Sequence, residues 1–150
     1  MKVVVFMTAQ NNSQFFHLLI QVGKTHFHQI RKRLQQLNLY RGQPRLLHLL
    51  WKKDGRTQKE LGNKLHSKPA TVAKMVQRMQ KSGFVEKRKD EEDKRISRVY
   101  LTDKGKDIKS EVDEMEQEIE KKILKGFNTE EKVLLRRFLR QIKDNLQNNN

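Results

Sequence analysis

At 150 residues the chain has the length of one domain, enough to bury a core and too short for two independent ones. Charged residues make up 34%, and 33 Lys and Arg against 18 Asp and Glu give a formal charge of +15, which favours a polyanionic partner. The absence of Cys excludes disulfides, thiolate metal sites and thiol-based redox sensing, and no apolar run approaches the ~18 residues of a membrane span, so a cytoplasmic protein without membrane contact is expected.

The apolar patch Val3 to Phe6 is cut off by polar Gln10 to Ser13, short of a signal peptide. Phe15, Leu18, Leu19, Val22, Phe27, Ile30, Leu34 and Leu37 then recur at helical spacing and predict one long helix over 14–37. After Asn38 to Gly42 a second helix is expected from Gln43 to Lys53, with Leu46, Leu47, Leu49 and Leu50 inward, stopped by Asp54 and Gly55. Thr57 and Glu60 form a capping box for a short helix ending at Leu65. His66 to Lys68 make a tight connection in which Ser67 is the expected N-cap, with Pro69 in the first turn of the next helix, which runs to Ser82 and stops at Gly83. On that helix Val72, Met75, Val76 and Met79 share one face, leaving Ala70, Lys74, Gln77 and Lys81 opposite and Thr71 and Arg78 on the flank.

Phe84 to Arg88 and Ile96 to Leu101 are β-rich runs joined by the charged stretch Lys89 to Arg95, the pattern of a hairpin. Thr102 caps a helix whose Ile108, Val112, Met115, Ile119 and Ile123 form a narrow apolar stripe that wants another helix against it. Asn128 and Thr129 open a last helix with Val133, Leu134, Leu135, Phe138, Leu139, Ile142 and Leu146 apolar, and Gln147 to Asn150 are expected to be a disordered tail.

The charge excess is concentrated. Residues 1–40 carry 5 basic and no acidic residues, residues 41–101 carry 17 and 7, and residues 102–150 carry 11 and 11, so the polyanion site belongs to the middle of the chain. There, two short helices in tandem, the second small, polar and basic outward, are followed at once by a charged hairpin. The expected fold is mainly α with a small β-hairpin wing: a winged helix-turn-helix lobe over 43–101, flanked by dimerisation helices over 14–37 and 103–146, all in one domain of residues 1–150. An exposed helix fits the major groove of double-stranded DNA, where base edges are distinguishable, and a basic hairpin tip can follow phosphates or enter the minor groove.

Four segments carry a specific resemblance: Thr57 to Leu65 (TQKELGNKL), the run VQRMQKSGFVEKR within and after Ser67 to Gly83, the wing Asp90, Asp93 and Arg95 spaced D-x-x-D-x-R, and Leu101 to Gly105 (LTDKG). Over nearly its whole length the chain resembles the multiple antibiotic resistance regulator (MarR) family. The resemblance implies an obligate homodimer that sets one recognition helix and one wing per subunit on a pseudo-palindromic operator. It also implies a repressor released by a small aromatic or phenolic effector, for which Phe15, Phe16, Phe27 and Tyr40 are the nearest aromatic residues in this chain. Gly62 departs from the family's usual Ala, and a mid-helix Gly costs roughly 1 kcal/mol.

The residues expected at DNA are Ser67, Lys68, Pro69, Ala70, Thr71, Lys74, Gln77 and Arg78 on the helix, and Arg88, Lys89, Asp93, Lys94 and Arg95 on the wing. The acidic run Asp90 to Asp93 should repel phosphate, but Lys87 to Lys89, Lys94 and Arg95 flank it, and Asp93 can orient Arg95 by a charge-assisted hydrogen bond. His26 and His28 point about 200° apart on a helix and suit no shared metal; no metal or cofactor is expected. Nor does any nucleophile signature, phosphate loop or carboxylate constellation support an enzyme. The alternative to a sequence-specific regulator is a general nucleoid-type protein without base selection or effector control.

Overall fold

Helix α1 spans Lys2–Gln36 in the computed structural model, which describes residues 2–147, with side chains from residue 14 on. It begins well before the expected residue 14, because the polar run Gln10 to Ser13 contains no Gly or Pro and weak propensity alone does not stop a helix. Its end is where the apolar pattern breaks: Asn38 takes the left-handed conformation (φ 57) and the Leu39 N–H donates to the Leu34 carbonyl at 2.8 Å. The chain divides into two compact units, residues 1–112 and 113–150.

In the first unit α1 is followed by α2 (Gln43–Lys52), β1 (Arg56–Thr57), α3 (Gln58–Leu65), α4 (Pro69–Lys81), β2 (Val85–Lys89), β3 (Ser97–Leu101), α5 (Asp103–Asp107) and the start of α6 (Lys109–Ile123). Leu46, Leu47 and Leu50 of α2, Leu61 and Leu65 of α3, and Val72, Val76 and Met79 of α4 are buried together with Phe84, Val85, Val99 and Leu101. The heptad-like spacing of the α4 residues turns one face into this core and leaves the other to solvent. Leu49, expected inward, is half-buried; its carbonyl accepts both the Lys53 N–H (3.1 Å) and Nε of buried Arg56 (3.1 Å), which ends α2.

The sheet is antiparallel with strand order β1-β3-β2. Val85 pairs with Leu101 and Lys89 with Ser97, placing each hairpin strand one residue later at its start than expected. A third strand, β1, pairs Arg56 with Val99 and Thr57 with Arg98. Two residues are too few to show a period, so nothing in the sequence pattern marks them.

The capping box is formed as read: Thr57 Oγ1 accepts from the Glu60 N–H (3.2 Å) and Glu60 Oε2 from the Thr57 N–H (2.7 Å). The N-cap of α4, however, is Lys68 and not Ser67. Proline disfavours helical backbone in the residue before it, so Lys68 is extended (ψ 146) and its carbonyl accepts from Thr71 and Val72. Ser67 stays in the turn, its hydroxyl donating to the Leu65 carbonyl at 3.2 Å. Gly62 packs under this turn; a Cβ there would stand 3.3 Å from the Ser67 carbonyl, so alanine would gain helix propensity only if the turn gave way.

Gly83 ends α4 with φ 76, and the Phe84 N–H closes the turn on the Met79 carbonyl at 2.9 Å. Lys104 returns from α5 to donate to the Ser82 carbonyl at 2.8 Å. Thr102 caps α5 through the Gly105 N–H (3.1 Å). The single helix expected after Thr102 is broken at Ile108 into α5 and α6. Gly105 admits no side chain, since a Cβ would lie 2.0 Å from the Phe84 carbonyl oxygen, and its own carbonyl accepts from Nε1 of Trp51 at 2.8 Å. Gly105→Ala is therefore expected to cost about 3 kcal/mol or more by forcing backbone apart. Thermal unfolding followed by Trp51, the only tryptophan, checks this, and a wild-type midpoint would contradict the close approach.

The second unit holds the rest of α6 and α7 (Thr129–Gln147). Asn128 and Glu131 cap α7 reciprocally, at 2.8 and 2.9 Å. Gln147 belongs to α7, and the remainder of the tail expected to be disordered lies outside the described residues. No α7 residue is buried, and Val133, Phe138, Leu139 and Leu146 are exposed. Ile123, read as the end of the α6 stripe, is exposed as well. Among the described residues no helix is long and apolar enough to cross a membrane.

Candidate nucleic-acid interface

Helix α4 presents a face free of carboxylates. Lys68, Pro69, Ala70, Thr71, Lys74, Gln77 and Arg78 are all exposed, and Ser67 is half-buried at the turn before them. No acidic residue occupies the first turn, so the partial positive charge of the helix N-terminus is left uncompensated and is reinforced by Lys68. Small Ala70 and Thr71 at that end let a partner's surface approach the backbone. Arg78 lies to one side, its guanidinium 5.7 Å from the Tyr40 ring centroid, which holds it on the flank as the sequence period indicates.

The wing is built by its aspartates. The Asp90 N–H donates to the Ile96 carbonyl (3.0 Å) and the Ile96 N–H to the Asp93 carbonyl (2.9 Å), closing the tip. Asp90 Oδ1 accepts the N–H groups of Glu92 (3.1 Å) and Asp93 (3.0 Å), while its second oxygen accepts Nε of Arg98. Asp93 in turn receives Nε and Nη2 of Arg95, both at 3.0 Å, in a bidentate fork, and the Arg95 N–H as well. The expected Asp93–Arg95 pairing is thus present, and the Arg95 side chain still stands 91% exposed. Two of the four carboxylates in the acidic run are paired with arginines of the wing itself, Asp90 with Arg98 and Asp93 with Arg95. Glu91 and Glu92 remain exposed, and nothing in the structure gives their carboxylates a role.

Arg88 is drawn back along the strand: it pairs with Glu86 and lies 5.1 Å from the Tyr100 ring. Lys89 and Lys94 are exposed on either side of the tip. Sequence reasoning missed Arg98, whose Nη1 also reaches the Gly55 carbonyl at 3.1 Å and lies 3.8 Å from Glu60 Oε2. It stands opposite Thr57 at the strand phase that alternates with buried Val99 and Leu101, so the period of β3 gives no signal for it.

These contacts shift the carboxyls downward. The hydrogen bond from Arg98, helped by the Asp93 and Glu92 amides, holds Asp90 at about 2, from an ordinary 3.8. The Arg95 fork lowers Asp93, and the Thr57 backbone N–H lowers Glu60 against a smaller opposing effect of burial. Because Asp90 binds its proton more weakly in the folded wing than in the open chain, acid favours the open form. The contribution of Asp90 is complete above about pH 3.8 and is lost as pH falls through about 2. An NMR titration of the Asp90 carboxyl is expected to give a midpoint near 2, whereas one at 3.8 or above would deny the Arg98 hydrogen bond.

Beside α4, an open groove of about 500 Å³ is lined by Phe27, Leu34, Tyr40, Arg31, Arg41 and Arg78 among others. Arg41 stacks 4.0 Å from the Phe27 ring centroid. Phe15 and Phe16 are exposed on α1 and do not line it. Among the described residues no group of three or more His, Asp or Glu side chains is placed to hold a metal ion.

A model described as the MarR family matches residues 39–97. The chain is 26% identical over 113 residues to an uncharacterized HTH-type transcriptional regulator of Bacillus subtilis, YybA, a match covering 75% of each protein. It is 34% identical over 104 residues to a second B. subtilis regulator described in the same words, YdgJ, covering 69% of this chain and 63% of the relative. Among solved structures, a MarR family protein from Bacillus stearothermophilus is 27% identical and superposes with a TM-score of 0.73 over 92% of this chain and 96% of that one. The helix pair α3 and α4 and the wing up to the start of β3 lie within the matched span, and the chain belongs to the MarR family of winged helix-turn-helix transcriptional regulators, which are not enzymes.

Proposed function

We propose that the chain is a sequence-specific, double-stranded DNA-binding regulator that acts in the cytoplasm as a homodimer on a pseudo-palindromic operator. Each subunit lays the first turns of α4 in a major groove and Arg95 in the adjacent minor groove. The observation that carries this is the pairing of a carboxylate-free, exposed α4 face with a wing whose outward guanidinium is held in a two-point fork. A groove contact needs both, a surface that phosphate does not repel and a cation that keeps its direction. Selection from random duplexes tests it: the expected product is a two-fold-symmetric motif with half-sites about 34–36 Å apart. Recovery of unrelated sequences would favour the nucleoid-type reading.

Residues 43–101 serve as the reading lobe of a single MarR-like domain, and α1, α6 and α7 as dimerisation helices. Phe15, Phe16, Leu18 and Val22 on α1 and Phe138, Leu139 and Leu146 on α7 are large apolar side chains left exposed, which supports a covering partner on each helix. A second copy of the chain is the occupant proposed for these faces. Sedimentation at micromolar concentration is expected to give twice the 17.9 kDa chain mass, and a folded species at that mass alone would contradict it.

Repression relieved by an aromatic or phenolic effector is the regulatory part of the proposal. The groove of Phe27, Tyr40, Arg31, Arg41 and Arg78 supports it, with aromatic walls for a ring and guanidinium groups for a carboxylate. Arg78 borders both this groove and the α4 face, so an anion bound there competes with DNA for the same cation. Calorimetry with benzoate is expected to show binding that weakens when duplex is present; no heat with benzoate or related acids would favour a constitutive binder.

A further inference from the structure

We propose that Arg98 is a positioning residue for DNA reading, a latch that ties the wing to the N-terminal end of α3 and so fixes where Arg95 stands relative to α4. The inference rests on the reading of Arg95 given above and adds a residue that reading does not use.

The partners of Arg98 lie on three separate segments. Nε donates to Asp90 at the wing tip, Nη1 donates to the Gly55 carbonyl before β1 at 3.1 Å, and Nη1 lies 3.8 Å from Glu60 in the first turn of α3. Glu60 is already committed to closing the α3 capping box on the Thr57 N–H. From there an unbroken series of polar contacts runs outward. Arg98 holds one oxygen of Asp90, the other oxygen holds the amides of Glu92 and Asp93, and Asp93 holds Arg95. The lowered pKa of Asp90 agrees with a carboxylate that stays charged in this series.

The wing needs such a tie because β1 offers β3 only two residues, and a two-stranded hairpin is marginally stable and free to twist. A binding constellation must be held within about 0.5 Å and 10–20° to be productive. Packing cannot supply this at the tip, where residues 91, 92 and 94–97 are all exposed. Arg98, by contrast, is 30% exposed and sits where the wing meets the helix pair.

The test uses the full chain and a duplex recovered from random sequence by the wild-type protein. Arg98→Met keeps the apolar stem and removes the latch. It is expected to lower affinity for the selected duplex about five- to tenfold, and by less than about twofold once Arg95→Ala is already present. Because the Arg98–Asp90 contact is part-buried and also stabilises the fold, the thermal midpoint is expected to fall modestly, and affinity is compared well below it. Asp90→Asn keeps the oxygen that accepts the Glu92 and Asp93 amides and weakens only the Arg98 side. It is expected to show the same dependence on Arg95, and it carries the test if the Arg98 variant does not fold. Equal losses with and without Arg95, or wild-type affinity in both variants, would overturn the latch. If Arg95→Ala itself binds like wild type, the reading of the wing fails first, and the latch has nothing to position.

Discussion

Affinity for duplex DNA is expected to fall about 10³- to 10⁵-fold between about 50 and 200 mM salt. The cause lies in the distribution of charge: residues 41–101 hold 17 basic against 7 acidic residues, and the proposed dimer would double them. Not all of these cations are available, since Arg88, Arg95 and Arg98 are paired with Glu86, Asp93 and Asp90. Lys68, Lys74, Lys89 and Lys94 remain exposed on the face of α4 and the wing, which suffices for about 6–10 phosphate contacts per dimer. Anisotropy titrations across that range measure the slope. Lys89→Ala, which takes one ammonium away from the phosphates, is expected to weaken all sequences alike and to reduce the slope by about one unit for each phosphate no longer neutralised. A flat response to salt would contradict the electrostatic account.

Arg95→Ala is expected to weaken operator binding roughly tenfold or more per wing, felt twice in the dimer. Its guanidinium is 91% exposed and oriented by the Asp93 fork at 3.0 Å, so the substitution deletes the proposed groove contact and almost no packing. Asp93→Ala acts in the same direction with a smaller loss, because it frees the guanidinium without deleting it. In combination the two should be non-additive, since without Arg95 there is nothing for Asp93 to orient. The thermal midpoint should barely move in any of the three, as exposed pairs contribute little to stability. Full additivity in operator titrations, or wild-type binding by Arg95→Ala, would remove the wing from the mechanism.

Much of this architecture is legible in the sequence because local rules and tertiary packing agree. The period of Val72, Val76 and Met79 is a buried face, the Thr57–Glu60 spacing is a closed capping box, and D-x-x-D-x-R contains the Asp93–Arg95 fork. What escaped had one of two causes. Some features are local but lost a competition: Ser67 is the better N-cap by type, yet Pro69 forces the role onto Lys68. Polar Gln10 to Ser13 read as a boundary but contain nothing that breaks a helix. Others exist only through distant contacts. Arg98 bonds to Gly55, 43 residues away, and the break at Ile108 has neither Gly nor Pro to announce it. Gly105 stands in a recognisable motif, but its reason, the Phe84 carbonyl 2.0 Å from where a Cβ would be, belongs to the fold.

A protein of the proposed kind reads base sequence. Competition at physiological salt between the duplex selected by the protein and unrelated duplex DNA measures that directly. A sequence-specific dimer is expected to prefer the selected duplex by about 10³-fold or more. Equal affinity for the two would contradict the account and leave a general DNA-coating protein on the same fold.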